Sequence, residues 1–137
     1  MTRLWDYLCT PGRSKLRAWA DEEKLDVRER AQLNQKLDML ERVGFDTACR
    51  LSFVSGASSD FNQIFKLIVM SQRMLRPILC RGPADAQDEI TLLYGALEKD
   101  SELKPPNAAE RADHHRRCLI NAGDDCRQEM RANHERF

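Results

Sequence analysis

The sequence lacks long apolar runs. None approaches the roughly 20 residues that a membrane-spanning helix needs. Residues 1–5 contain no extended apolar stretch of the kind that forms the centre of a secretory signal. These absences predict a cytoplasmic protein that makes no contact with a membrane.

Cysteine pairs at short spacing are also missing. The five cysteines are an odd number and none forms a CxxC pair, which favours structural thiols in a reducing compartment over a disulfide framework. Cys118 and Cys126 with His114 and His115 are the nearest approach to a zinc ligand set, and their spacing does not fit one. Glycine-rich phosphate loops, nucleophile elbows and metalloprotease helices are absent as sequence motifs. The sequence therefore predicts neither a metal nor a cofactor.

The chain has no net charge, because 22 basic residues balance 22 acidic ones over its 137 residues. No overall positive field attracts it to nucleic acid. The charges are nevertheless segregated, since residues 62–82 contain basic side chains and no acid, whereas residues 83–104 are mainly acidic. Two readings stay open: a local anion site at the basic segment, or a solvated surface of mixed charge.

Three apolar runs, 64–70, 75–80 and 90–97, follow one another with short turns. Parallel strands need a crossover of a dozen or more residues, so these runs predict an antiparallel meander. Pro77 inside the second run indicates an edge strand or a bulge.

The N-terminal part predicts a strand and two helices. A strand over residues 4–8 should end at the turn Thr10-Pro11-Gly12. Ser14 is expected to cap a first helix that runs to about residue 24. Asp26 and Glu29 have the spacing of a capping box for the second helix, and Gly44 is expected to end it. That second helix has an apolar stripe, formed by Leu33, Leu37 and Leu40, which should cover the sheet.

The remaining segments are less regular. Residues 45–61 are predicted to be less regular, with a loop over residues 55–60, and a helix is predicted from Asn107. Residues 121–137 predict either a short extra helix or a frayed tail. His114 and His115 are expected to be exposed to solvent. The whole chain, residues 1–137, is predicted to form one α+β domain: an N-terminal strand and a helical hairpin packed on a small antiparallel sheet, with a C-terminal helix.

The segment TLLYGALEK at residues 91–99, followed by Pro105-Pro106 and an Ala/Arg-rich helix, resembles the last strand and C-terminal helix of RelE/HigB-like toxins. These are the toxins of bacterial and phage toxin–antitoxin pairs. The resemblance implies the α+β fold above, a small antitoxin protein as partner, and cleavage of messenger RNA on the ribosome. The implied reaction is attack of a ribose 2′-hydroxyl on the adjacent phosphate, which uses no metal and needs cations and a proton-transfer group.

Carried over by position, the resemblance implies a catalytic set of Arg76, Tyr94 and Lys99. Basic side chains around it are expected to bind RNA, namely Lys66, Arg73, Arg81 and Lys104. Strand alternation predicts that Arg76 and Arg81 point to opposite faces unless Pro77 introduces a bulge.

Two departures from the family pattern remove positive charge: Ile68 stands in place of an arginine, and Glu98 in place of the first of two lysines. Two alternatives to a nuclease therefore remain. One is a prophage or orphan binding module on the same fold with weak or lost nuclease activity. The other is a relative that poisons DNA gyrase through protein contacts.

Overall fold

The structure is a computed structural model that describes residues 2–10, 12–85 and 87–137. Its helices are α1 (Lys15–Glu22), α2 (Val27–Val43), α3 (Phe45–Arg50), α4 (Ala108–Asn121) and α5 (Asp124–Glu129). Its strands are β1 (Arg3–Thr10), β2 (Arg13–Ser14), β3 (Val54–Gly56), β4 (Phe65–Leu67), β5 (Val69–Met70), β6 (Met74–Arg81), β7 (Glu89–Lys99), β8 (Glu102–Lys104) and β9 (Arg131–Asn133). The α+β class predicted from the sequence is confirmed.

The strands form one mixed sheet whose central order is β2-β1-β7-β6-β4-β3. The predicted meander is confirmed, since β4 and β5 pair antiparallel with β6, and β6 pairs antiparallel with β7. The prediction of a purely antiparallel sheet is wrong, because β1 runs parallel to β7, with Arg3 opposite Glu89. The periodicity of apolar residues predicts that a segment is a strand but not which strand it pairs with. The helices and hairpins between β1 and β7 in the chain separate these two paired strands in sequence.

Each face of the sheet covers its own apolar core. On one face, α1, α2 and α3 pack against the sheet, and the α2 stripe of Leu33, Leu37 and Leu40 is buried there as predicted. On the other face, α4 buries Ala108, Ala112 and other small side chains against the sheet. The sheet therefore lies between two helical layers.

The predicted helix boundaries follow from capping. Ser14 accepts a hydrogen bond from the Arg17 backbone at the start of α1. Asp26 and Glu29 form the reciprocal capping box of α2, with hydrogen bonds of 2.7 and 3.1 Å. Gly44 ends α2 with a φ of 85°, in the left-handed region that favours glycine. The turn predicted at residues 10–12 includes Pro11, which lies outside the described residues.

A β-bulge interrupts the pairing of β6 with β7. Ile78 lies opposite Tyr94 but Leu79 lies opposite Leu92, so Leu93 is the extra residue. Leu92 packs on the α1–α3 face, whereas Leu93 and Tyr94, although consecutive, both pack on the α4 face. Without the bulge, strict alternation would turn Tyr94 to the opposite face.

Pro77 lies next to this bulge, in line with the bulge that its presence predicted, although the extra residue is on β7. The alternative of an edge strand is wrong, because β6 lies between β7 and β4. The neighbouring ladder is interrupted beside Pro77, between β4 and β5, where the Ile68 amide instead donates to the Phe53 carbonyl at 2.7 Å.

Two segments contain more structure than predicted. Residues 45–61 include α3 and β3, and β3 takes up residues 55 and 56 of the predicted loop. The short helix predicted near the C-terminal end is present as α5, but the frayed tail is wrong. β9 pairs with β1, and the Phe137 amide donates to Asn34 Oδ1 at 2.8 Å. These contacts join residues more than 100 positions apart, beyond the reach of local patterns.

Candidate functional site

Tyr94 lies on the α4 face with its hydroxyl held by Arg111. Arg111 Nη1 donates to the Tyr94 hydroxyl oxygen at 2.9 Å, and its guanidinium lies 5.7 Å from the ring centroid. The β-bulge turns Tyr94 to this face. Arg111 lies near Tyr94 because α4 buries Ala108 and Ala112 against the sheet. Arg111 directly precedes Ala112 in the helix, so its side chain lies over β7.

His115 is the next residue of α4 on this side, one turn after Arg111. Its ring stacks on Tyr7 at 4.4 Å and lies edge-on to Tyr94 at 6.4 Å. Burial is the main reason that the pKa of His115 falls to about 4, and the positive charges of Lys15, His114 and Arg111 lower it further. The imidazole is therefore neutral at neutral pH. The prediction that both histidines are solvent-exposed is wrong for His115, which is half-buried, and confirmed for His114.

Arg76 is a predicted catalytic residue that the structure buries. Only 4% of its surface is exposed. Its Nη1 donates to the Leu75 carbonyl at 3.0 Å, and its Nε lies 3.4 Å from Glu98 Oε1. Lys66, a predicted RNA-binding residue, lies with Nζ 2.5 Å from the same carboxylate oxygen. Glu98 thus neutralises one cation that was predicted to be catalytic and one that was predicted to bind RNA.

The electrostatic effect on Glu98 agrees with this arrangement. The hydrogen bond from Lys66 lowers the pKa of Glu98, burial opposes the shift, and the charges of Lys66 and Arg76 add to the lowering. Glu98 is therefore ionised at neutral pH and keeps both cations paired.

Arg73 and Arg81 are predicted RNA-binding residues that contact helices on the other face. Arg73 holds Glu29 through two hydrogen bonds, of 2.9 and 2.7 Å, and so ties the start of β6 to α2. Arg81 lies over the Phe45 ring at 4.8 Å with Nη1 3.7 Å from Asp46. Arg76 and Arg81 therefore point to opposite faces of the sheet, as predicted. The extra residue of the bulge is on β7, so successive side chains of β6 still alternate between the two faces.

Lys99 and Lys104 are exposed, Lys99 at the end of β7 and Lys104 at the end of β8. Lys99 is five residues beyond Tyr94, about 16 Å along a strand, and an odd spacing turns it to the opposite face. The structure therefore brings Tyr94 to Arg111 and His115, and places Lys99 elsewhere. Sequence reasoning missed Arg111 and His115 as site residues, although their i,i+4 spacing beside two alanines was a usable signal.

A cleft of about 540 Å³ opens beside the first turn of α4. Its apolar lining includes Phe61 and Leu103, and its carboxylates include Asp60, Glu102 and Glu110. Glu98 and Lys66 also line it. The acidic lining is unfavourable for a phosphate backbone and favourable for a basic partner.

Two kinds of feature are absent from the described residues. They contain no group of three or more His, Cys, Asp or Glu side chains placed to hold a metal ion. None of their helices is both long and apolar enough to cross a membrane.

Comparison with known proteins gives no relative. The chain matches no protein-family model, no curated protein and no solved structure.

Proposed function

We propose that the protein is the toxin of a type II toxin–antitoxin pair, of the RelE/HigB-like class, and that it cleaves messenger RNA on the ribosome in the cytoplasm. The proposal rests on the resemblance of residues 91–99 to that class. The structural observation that supports it is the Tyr94 hydroxyl bound by Arg111 at 2.9 Å on the α4 face.

This pair suits a metal-independent cleavage. When the ribose 2′-hydroxyl attacks phosphorus, it gives its proton to solvent water, the bond from phosphorus to the 5′-oxygen breaks, and the 5′-oxygen takes up a proton. The Tyr94 hydroxyl accepts the Arg111 hydrogen bond, so its own proton is available for the leaving oxygen. The guanidinium then stabilises the resulting phenolate and the charge on the phosphate.

The antitoxin is the second part of the proposal. The cleft beside α4 offers half-buried Leu103 and Phe61 among carboxylates. An antitoxin segment that fills it should carry basic side chains beside an apolar one. Leu119 of α4 is fully buried and takes no part.

The test is induction of the chain in a bacterium with mapping of messenger RNA 5′ ends. We expect growth arrest and new ends within translated regions. Tyr94→Phe removes only the hydroxyl and should lower cleavage by about a hundredfold or more, the usual contribution of a proton donor. Lys99→Ala, on the opposite face, should cleave like the parent. A Tyr94→Phe variant as active as the parent would remove Tyr94 from the chemistry.

A second function, a binding module without nuclease activity, is favoured by one observation. Glu98 neutralises Lys66 and Arg76 within the fold, where an RNA-binding surface would leave cations for phosphate. A parent protein that neither arrests growth nor produces new RNA ends, yet co-purifies with the product of a neighbouring gene, would establish this function instead.

A further inference from the structure

Basic groups from two separate elements converge on His115. Lys15 begins α1, whereas Arg111 and His114 belong to α4, and each is close enough for its charge to lower the pKa of His115. Tyr7 of β1 covers one side of the imidazole. Lys15 and His115 are partly exposed, and Arg111 and His114 are exposed, so the cluster reaches solvent.

This cluster differs from the basic residues that are held in ion pairs within the fold. Lys66, Arg73 and Arg76 each have a carboxylate within 3.5 Å. Around His115, by contrast, the charged groups that act on the imidazole are all basic. Its Nδ1 atom is buried without a hydrogen-bond partner among the described residues. These positive charges would attract an anion to the exposed side of the cluster.

We propose that Lys15, Arg111 and His115 form, with the Tyr94 hydroxyl, a subsite for a phosphate group of single-stranded RNA. The inference rests on the proposed function and names the point where the RNA backbone meets this chain. Arg111 has five N–H donors in a planar fork, of which one binds Tyr94, and such a fork grips phosphate oxygens in pairs. Lys15, at the start of α1, adds a second cation.

The test measures binding apart from cleavage. The probe is a hexanucleotide of 2′-O-methyl RNA, which lacks the attacking hydroxyl, and its affinity is measured by fluorescence anisotropy at fixed salt. Arg111→Ala and Lys15→Ala should each weaken binding about tenfold, the usual effect of losing one charged hydrogen bond.

Arg117→Ala is the matched control. It removes the same charge from the same helix, but Arg117 is 61% exposed and pairs with Asp113 at 3.0 Å, away from the cluster. Its affinity should stay within about twofold of the parent, the scale of a rim charge. Equal losses for Arg111→Ala and Arg117→Ala would show general attraction by α4 and overturn the subsite.

A second readout is the titration of His115 followed by NMR. A phosphate beside the ring offsets the charges of Lys15, His114 and Arg111, so the pKa should rise above about 4 when the hexanucleotide binds, although burial of the ring still lowers it. An unchanged titration at saturating hexanucleotide would place the RNA elsewhere and overturn the proposal.

The two proposals can fail separately. If the parent cleaves RNA and Arg111→Ala binds the hexanucleotide as tightly as the parent, the subsite is wrong and the toxin proposal stands. If the parent does not cleave but the Arg111→Ala and His115 results are as expected, the subsite stands as an RNA-binding site and the nuclease proposal is wrong.

Discussion

Trp19 of α1 lies so close to Gly95 of β7 that no side chain fits between them. A Cβ atom built on Gly95 would lie 2.2 Å from the Cδ2 atom of the indole ring. Gly95 belongs to the sheet and Trp19 to a helix that packs on it, and Trp19 is almost fully buried in the apolar core between the sheet and α1, α2 and α3. The glycine of the TLLYGALEK segment therefore has a packing role.

The first prediction concerns this contact. Gly95→Ala should lower the free energy of unfolding by about 1–3 kcal/mol, because the buried indole must move to admit a methyl group. Urea denaturation measures the loss. Gly56→Ala is the control, since a Cβ there meets nothing within 4 Å, and it should change stability far less. Equal stabilities of Gly95→Ala and the parent would mean that α1 shifts without cost.

Local patterns predicted the parts of the fold that local chemistry determines. The capping box of Asp26 and Glu29 and the stop at Gly44 act within a few residues, so they could be read directly. The parallel pairing of β1 with β7 and the return of β9 to β1 depend on residues far apart in the chain. Such pairing is decided by the packing of the whole fold, and a single sequence does not display it.

The site was predictable only in part, for a related reason. Tyr94 was found by resemblance, but the face it occupies depends on the bulge at Leu93. Arg76 has the residue type of a phosphate ligand, yet its burial beside Glu98 becomes visible only when β6, β7 and β4 are aligned. Residue type indicates what a side chain can bind, whereas the neighbouring strands decide whether a ligand can reach it.

The second prediction concerns the buried pair of Arg131 and Glu89. Arg131 Nη1 lies 2.9 Å from Glu89 Oε1, and both side chains are less than 10% exposed. Trp5 Nε1 donates to the other carboxylate oxygen at 3.0 Å. Arg131→Met should cost about 3–5 kcal/mol, because it leaves a buried carboxylate without its cation.

Thermal and urea unfolding at neutral pH measure this loss. Arg117→Met is the control, since it breaks an exposed helix pair that contributes less than about 1 kcal/mol. A loss for Arg131→Met no larger than that of the control would show that β9 contributes little to the stability of the sheet.

The third prediction is a pH dependence at Glu29. The hydrogen bond from Arg73 lowers the pKa of Glu29 below its usual 4.5, although burial opposes the shift. Because the folded pKa is the lower one, the stabilisation is complete above pH 4.5 and is lost as the pH falls through the folded value. Arg73→Ala should cost on the order of 1 kcal/mol at pH 7, a modest value because Arg73 is partly exposed.

The difference in the free energy of unfolding between Arg73→Ala and the parent should decrease as the pH falls below 4.5. Urea denaturation across the pH range measures it. Arg50→Ala, whose side chain donates to Thr47 rather than to a carboxylate, is the control and should show no such narrowing. A cost that is the same at pH 7 and pH 3 would show that the ion pair is not its source.

The fourth prediction decides what Arg76 does. If Glu98 and Arg76 act as a structural pair, Glu98→Ala leaves the buried Arg76 without its carboxylate and should cost about 3 kcal/mol or more. Arg76→Ala leaves Glu98 paired with Lys66 and should cost less. We expect both losses, together with cleavage per folded molecule that stays close to that of the parent. The measurements are urea denaturation and a cleavage rate corrected for the folded fraction.

A phosphate-binding role would give a different pattern: Arg76→Ala alone would lower the corrected rate by about a hundredfold or more, as loss of a transition-state hydrogen bond does. That result would show that RNA displaces Glu98 from Arg76 when it binds, and would restore Arg76 to the catalytic set that the family resemblance implies.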